Sequence, residues 1–597
     1  MSANIKASTD GTQAIIGVGG VDQMTVSNTG VVTANSFVGA ISNTNVTATG
    51  STTARTLANR FADVANVLDF GADPTGAVDS STEFQNALNL IQSKPNGGTL
   101  LIPPGTYKVN QQLNYSNNNL SILGFGKGVS KIIKTVSDPT GNIFNYTTST
   151  LKILIVKDLQ FQVTGNPGNA GTAINATWPV GLGASTCCHI ANLDFGYFNG
   201  SGANNRFLNC LKLKGAAETS ITNFSSQFVD SLDTTHIRLD CYNNGPAYGV
   251  LMQHIFINGG KYGIHQTGWM EMLIMQSGEI VGQEICILCD SSASLIPSVP
   301  PGRNPVLNVE SLHLNGKEWG LKIIQWDAVM LRNLQLYHGV GGGTDVNGGN
   351  ISIQKSRILS VIGCTFDSPL ALPIEDFGLS LKECNEFIIA TNIFRKNTRT
   401  SLYIEDCYQG KITSNNFLPD PNTNYGIYVQ NNISPTTFNK IRITDNSFVH
   451  YVYGIFIQSA PSDFDVLNNN FDDIAGVPIL LGSPVNIGQQ ISIQGNKALA
   501  WQRKTLTDNS ATPSVSGAQE GLCNLQNTNP TTITNFTDGY PCQELDIRAS
   551  NGNTTIQNNA NIILQGGVNF TMVSGNILFL KKTDSGSNNW YETGRLT

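Results

Sequence analysis

The stretch IIATNIFRKNTRTSLYIEDCYQGKITSNNF (388–417) holds one phrase twice: an apolar strand, then Asn, any residue and Phe. The phrase returns as RITDNSF (442–448) and VLNNNF (466–471), with a worn copy VIGCTF at 361–366. A second phrase interleaves with it: small residue, apolar, any, apolar. It reads GLSL (378–381), SLYI (401–404), GIYV (426–429) and GIFI (454–457), and earlier copies begin at Gly263, Cys286, Gly320 and Asn350. The small positions are 23, 34, 30, 28, 23, 25 and 28 residues apart. Short strands repeating at that interval mark a solenoid, in which each coil buries its apolar face only against its neighbours. Two or three strands per coil without helical periodicity predict a parallel β-helix.

Alternation within the phrase turns apolar residues into the cylinder and their neighbours out. Asn392, Asn416, Asn446 and Asn470, or the Asn beside each, recur where the chain must bend. Asn tolerates the left-handed conformation and can hydrogen-bond up and down a ladder. Phe394, Phe417, Phe448 and Phe471 read as a stacked core column. Both columns are structural, so the chemistry has to be sought on the outer face.

Composition fits an extended, rigid, extracellular object. The chain has 597 residues, a length a solenoid reaches without one deep core. Charged residues are only 13%, and the net charge of −7 without a basic cluster argues against nucleic acid or an anionic membrane surface. No apolar run reaches membrane-spanning length, so no membrane insertion is expected. The start MSANIKASTDG lacks the apolar core of a secretory signal, which is consistent with release by lysis. Eleven Cys without metal spacing, Cys286, Cys289, Cys364, Cys384 and Cys407 among them, read as buried thiols. No cofactor or metal is expected.

Three parts follow. Residues 1–60 are thin alternating strands broken by Gly and Asn-Thr-Gly turns, which need partner chains or a docking surface. Residues 61–500 form the β-helix, entered through a helix over 79–92 with a Ser80–Glu83 capping box and a Phe84, Ala87, Leu88, Ile91 stripe. Residues 501–597 carry short strands between Asn-Gly and Gly-Gly turns, a β-sandwich-like domain in which Trp590 and Tyr591 are candidate sugar platforms.

The entry NVLDFGADPTGAVDSSTEFQNAL (66–88) followed by GGTLLIPPGTYKV (97–109) resembles that of the pectate-lyase-like right-handed β-helices, in the version common in bacteriophage tailspikes and capsule depolymerases. The segment STDGTQAIIGVGG, with TANSFVG after it, resembles the virion-proximal part of phage tail fibres. The resemblance implies an all-β homotrimer on the virion, attached to tail or baseplate proteins through its N-terminus. It implies binding and cleavage of a host surface polysaccharide, whether O-antigen, capsule or exopolysaccharide. It transfers no catalytic residue.

Aligning coils by the small residue puts the position two before it in one column: Lys261, Glu284, Glu318, Gly348, Asp376, Arg399, Asn424. Parallel strands lie about 4.8 Å apart. Glu284 and Glu318 therefore approach the roughly 5–5.5 Å of a retaining glycosidase, and Glu318 with Asp376 the roughly 6.5–9.5 Å of an inverting one. Like charges this close split their pKa values, so one carboxyl can act as acid. Glu279 is a further catalytic candidate. Trp269, Trp319 and Trp326, with His265 and with Arg303 from the loop SSASLIPSVPPGRNPV, are candidate substrate contacts. The alternative acid pair is Asp230 and Asp233 in FVDSLDTTHIRLD (228–240), which also reads as a plain turn. A glycosidase, a polysaccharide lyase using Lys261 or Arg303 as base, and a non-catalytic adhesin all fit these residues.

Overall fold

The structure is a computed structural model. It describes residues 50–597 except 165–168, 181–186, 197–204, 229–232, 243–248, 293–305, 339–347, 369–376, 398, 420–422, 431–439, 459–462, 476, 482–489, 499–503, 516–520, 540–542 and 584–588, and of residues 1–49 only the strands. The chain divides into Met1–Ala65 and Asn66–Thr597, five residues later than the sequence boundary. The first unit holds a four-stranded antiparallel sheet built from Ala3–Ala7, Gln13–Val18, Val21–Ser27 and Val32–Ala34.

The second unit is dominated by parallel coils of three strands. One coil runs Phe377–Lys382, Glu386–Ala390, Ile393–Arg395, and the next Thr400–Glu405, Gln409–Thr413, Asn416–Leu418. Each strand pairs in parallel with its counterpart one coil on. The repeating phrases explain one another. A Cβ on Gly378 would lie 3.0 Å from the Phe394 ring, one on Gly426 2.8 Å from Phe448, and one on Gly454 2.5 Å from Phe471. The small residue of the first strand makes room for the Phe of the third, so the two recur together. The Phe rings stack 4.4 to 4.9 Å apart from Phe366 to Phe471.

The buried ladder consists of Asn392, Asn415, Asn446, Asn469 and Asn496. Each of the first four donates through Nδ2 to the next Oδ1 at 2.9 or 3.0 Å and to a strand carbonyl of the coil before. The exposed neighbour Asn416 is not a rung. The residue ahead of each rung takes the left-handed bend, as Thr391, Ser414, Asp445 and Asn468 do.

The entry helix spans Ser81–Gln92 and buries Phe84, Ala87, Leu88 and Ile91, as the stripe predicts. The capping box does not form. Ser80 Oγ instead accepts the Asp73 N–H at 2.9 Å, and Asp79 Oδ1 accepts from the Ser81 N–H at 3.2 Å. The DPTG turn draws Ser80 away, and the residue before it takes over. All described cysteines are buried and unbridged.

After the coils, two sheets share one core of residues including Leu525, Ile533, Ile547, Ile556, Met572 and Trp590. Their first strands pair in parallel, Lys504–Leu506 with Leu522–Leu525 with Glu544–Ala549, before antiparallel strands close the domain. Trp590 is fully buried and donates to the Phe536 carbonyl at 2.9 Å, so it is a core residue and no platform.

Candidate functional site

The register places the acidic column as the sequence spacing requires. Tyr262 pairs with Ile285, Ile285 with Trp319, Trp319 with Gly349, Gly349 with Phe377, Phe377 with Thr400 and Thr400 with Tyr425. Lys261, Glu284, Glu318, Gly348 and Arg399 each precede one of these residues and so occupy successive rungs. Asp376, which the sequence spacing assigns to this column, lies outside the described residues, as do Asp230 and Arg303.

Between Glu284 and Glu318 the ladder slips. Gln283 pairs with Gly316 and Ile285 with Trp319, so Lys317 and Glu318 together oppose Glu284. Such a bulge re-aims side chains and is common beside active sites. Burial, together with Glu318 and Asp233, raises the Glu284 carboxyl above its ordinary pKa, while Lys261 and Lys317 act against the rise. Asp233 thus belongs to the same cluster as Glu284. Arg206 holds it at 3.1 Å.

Arg399 of this column, with Trp319 next to Glu318, lines a groove of about 440 Å3 on the outward face of the following coils; Glu284 and Glu318 are not among its lining residues. The groove floor carries Phe377, Tyr403 and Tyr428, with ring centres 5.2 and 5.4 Å apart. Arg399 lies over Phe377 at 5.7 Å, and Lys382 pairs with Glu405 at 3.3 Å. Tyr403 donates to Gln430 Oε1 at 3.1 Å, and burial followed by the Glu405 charge pushes its phenol well up. Aromatic rings one rung apart, flanked by hydrogen-bonding and charged groups, suit an elongated hydroxyl-rich ligand. The sequence reading missed this floor, although the phrase contained it. The third, outward residue is Tyr403 in SLYI, Tyr428 in GIYV and Phe456 in GIFI.

The tryptophans require correction. Trp269 is 4%, Trp319 5% and Trp326 0% exposed, so none offers a ring face as a platform. Trp269 and Trp326 each follow a left-handed residue, Gly268 and Gln325, at the end of a first strand. That turn position points inward and elsewhere holds Cys384 and Cys407, which follow Glu383 and Asp406. Only Trp319 borders the groove.

Glu279 is also displaced. It pairs with Phe256 below and His313 above, the His313 Nδ1 lying 3.3 Å away, on the part of the strand before the Gly282 corner. There it lines a second groove with Asp194, Ser225 and Phe256. The corner at Gly282, with φ of 82°, lies between it and Glu284. His265 sits outside on the first strand, its ring tilted against Tyr262 with centres 4.7 Å apart. Burial and then Arg238 lower its pKa. His236 of the rival segment is buried between Ser226 and the Gly259 carbonyl, with its pKa pushed down to about 4 by burial.

Residues 64–287 match the family model "Rhamnogalacturonase A/epimerase, pectate lyase-like", and residues 319–498 match "Right handed beta helix region". A 39-residue stretch is 59% identical to an iota-carrageenase of Alteromonas macleodii, covering 6% of this chain and 8% of that enzyme. Among solved structures, tailspike protein 3 of bacteriophage CBA120 is 14% identical at a TM-score of 0.43, over 76% of this chain and 65% of that one. The catalytic unit of an alpha-1,3-glucanase from Streptomyces thermodiastaticus is 13% identical at 0.37, over 74% and 69%. The family matches and the continuous parallel ladder agree: this chain carries a right-handed parallel β-helix, pectate-lyase-like over residues 64–287.

Proposed function

We propose that this chain is a phage tailspike that binds a host surface polysaccharide along the Phe377–Tyr428 groove and hydrolyses it at Glu284 and Glu318. The observation that carries the catalytic part is the pair of carboxyls at the bulge, one of them with a raised pKa. A protonated Glu284 donates to the glycosidic oxygen. Glu318, on the next rung of a ladder whose strands lie about 4.8 Å apart, attacks or stabilises the anomeric carbon, as in a retaining enzyme. The deciding experiment incubates the full-length protein with isolated host surface glycan. New reducing ends support hydrolysis. Unsaturated products absorbing in the near ultraviolet would move the reading to a lyase, and an intact polymer to an adhesin.

The charges around Glu284 give a pH test. Lys261 lowers the Glu284 pKa, so Lys261→Met should raise it. The acid then keeps its proton to higher pH, and the basic limb of the kcat/KM profile moves upward by up to about one unit. An unmoved limb contradicts Glu284 as the acid.

The same reading takes the assembly to be a homotrimer on the virion, with residues 1–60 as the adaptor to tail or baseplate proteins. Its support is that the first unit holds a small antiparallel sheet of its own and that the terminal residues of the second unit share a core. A chain starting at Phe61 is expected to stay trimeric by light scattering and to keep full cleavage. Loss of cleavage in an intact trimer would contradict the adaptor role.

A further inference from the structure

We infer that the glycan taken by this groove is anionic, carrying carboxylate or another acidic substituent along its length, and that it lies parallel to the helix axis; this rests on the reading of the groove as a glycan site. The chain as a whole is acidic, with a net charge of −7. The outward face of the first strands reverses that sign.

Lys212, Arg238, His265, Leu288 and Lys322 occupy one register column on successive rungs. From Lys212 to Lys322 this track runs four rungs, about 19 Å. It then enters the groove, where Lys322 stands with Lys382 and Arg399. The neighbouring column adds Lys214. Against these six cations, the same two columns and the groove present three carboxylates among the described residues: Asp240, Asp290 and Glu405.

The carboxylates are committed. Asp240 is shared by Arg238 at 2.8 Å and Lys212 at 3.5 Å. Asp290 accepts the Ser292 N–H at 2.8 Å in its own turn, and Glu405 holds Lys382. In the acidic column, Lys261 and Lys317 counter the charge at Glu284. A surplus of positive charge therefore remains along a track as long as several sugar residues. Cations arrayed at strand spacing meet a polymer whose acidic groups repeat along its own axis, and each contact is a charge-assisted hydrogen bond. A neutral glycan would offer no counter-charge to the cations it covers.

The test uses the full-length protein and a panel of purified bacterial capsular and O-antigen polysaccharides. Each is assayed as isolated, after reduction of its carboxylates to alcohols, and after removal of sulfate or phosphate. The polymers bound are expected to be acidic, and the treatment that abolishes binding identifies the acidic group. Lys322→Gln, with an unchanged melting temperature, should weaken binding about tenfold at low salt and much less at 0.5 M NaCl, where screening acts within a few ångströms. Binding that survives neutralisation of every acidic group, or that Lys322→Gln leaves unchanged at low salt, overturns the inference while leaving the groove a glycan site. Binding to no polymer of the panel overturns the glycan reading and the inference with it.

Discussion

Glu318→Gln and Glu284→Gln should each lower polysaccharide turnover by at least about a hundredfold, the lower end for loss of an acid, base or nucleophile. Gln keeps the shape and hydrogen bonding of Glu, so a purely positional role would survive the change. The two variants should differ in kind. Without the Glu284 proton the leaving oxygen departs unassisted, so poor leaving groups suffer most and an activated aryl glycoside least. Without Glu318 the first step itself fails for every substrate. Melting temperature and glycan affinity should hold, because neither carboxyl is buried in the core. Asp233→Asn should cost far less. It acts on Glu284 only through charge and is already held by Arg206. Near-normal turnover in both Gln variants, with loss in Glu405→Gln instead, would move the chemistry onto the groove floor.

Phe417→Ala should destabilise the coils by about 3–5 kcal/mol, the range for emptying a large aromatic site in a packed core. Phe417 is fully buried, and its ring lies 4.7 Å from Phe394 and 4.6 Å from Phe448. The backbone cannot close the hole, because the parallel ladder fixes each rung against two others. A solenoid couples only neighbours, so the loss should appear locally. Hydrogen exchange should quicken at the amides of residues 394–448 and stay unchanged near Phe161 and Phe195, several coils away. A loss below about 1 kcal/mol, or uniform acceleration, would contradict a stacked load along the Phe column. The Asn ladder beside it works by a different force. Removing Asn415 would break its bonds to the buried Asn392 N–H and Ile389 carbonyl, at about 1–3 kcal/mol for each group left without a partner.

Fold and register were legible because they follow from spacing. The small residue and the N-x-F phrase are two halves of one packing contact, so either one indexes the coil. Counting two positions back placed Glu284 and Glu318 on adjacent rungs even across the longest spacing, 34 residues. What spacing could not supply was direction at the corners. Glu279 and Glu284 are five residues apart and face different sides of the coil, because the chain turns at Gly282. Trp269 and Trp326 suggested platforms by residue type, yet the left-handed residue before each turns it inward. The aromatic floor was overlooked for the converse reason: Tyr403 and Tyr428 sit inside the phrase that signalled fold, at its one position that faces out. The capping box failed because Ser80 is claimed by Asp73, a partner seven residues earlier in the turn.

The central claim is that sugar lies in the groove with its scissile bond at the bulge. The most direct measurement is a crystal structure of the Glu318→Gln protein with an oligosaccharide of its own glycan. The account predicts sugar rings on Phe377, Tyr403 and Tyr428, with a glycosidic oxygen within hydrogen-bond distance of Glu284. Sugar bound instead beside Glu279 and the Phe256 ring, which is 52% exposed, would contradict it.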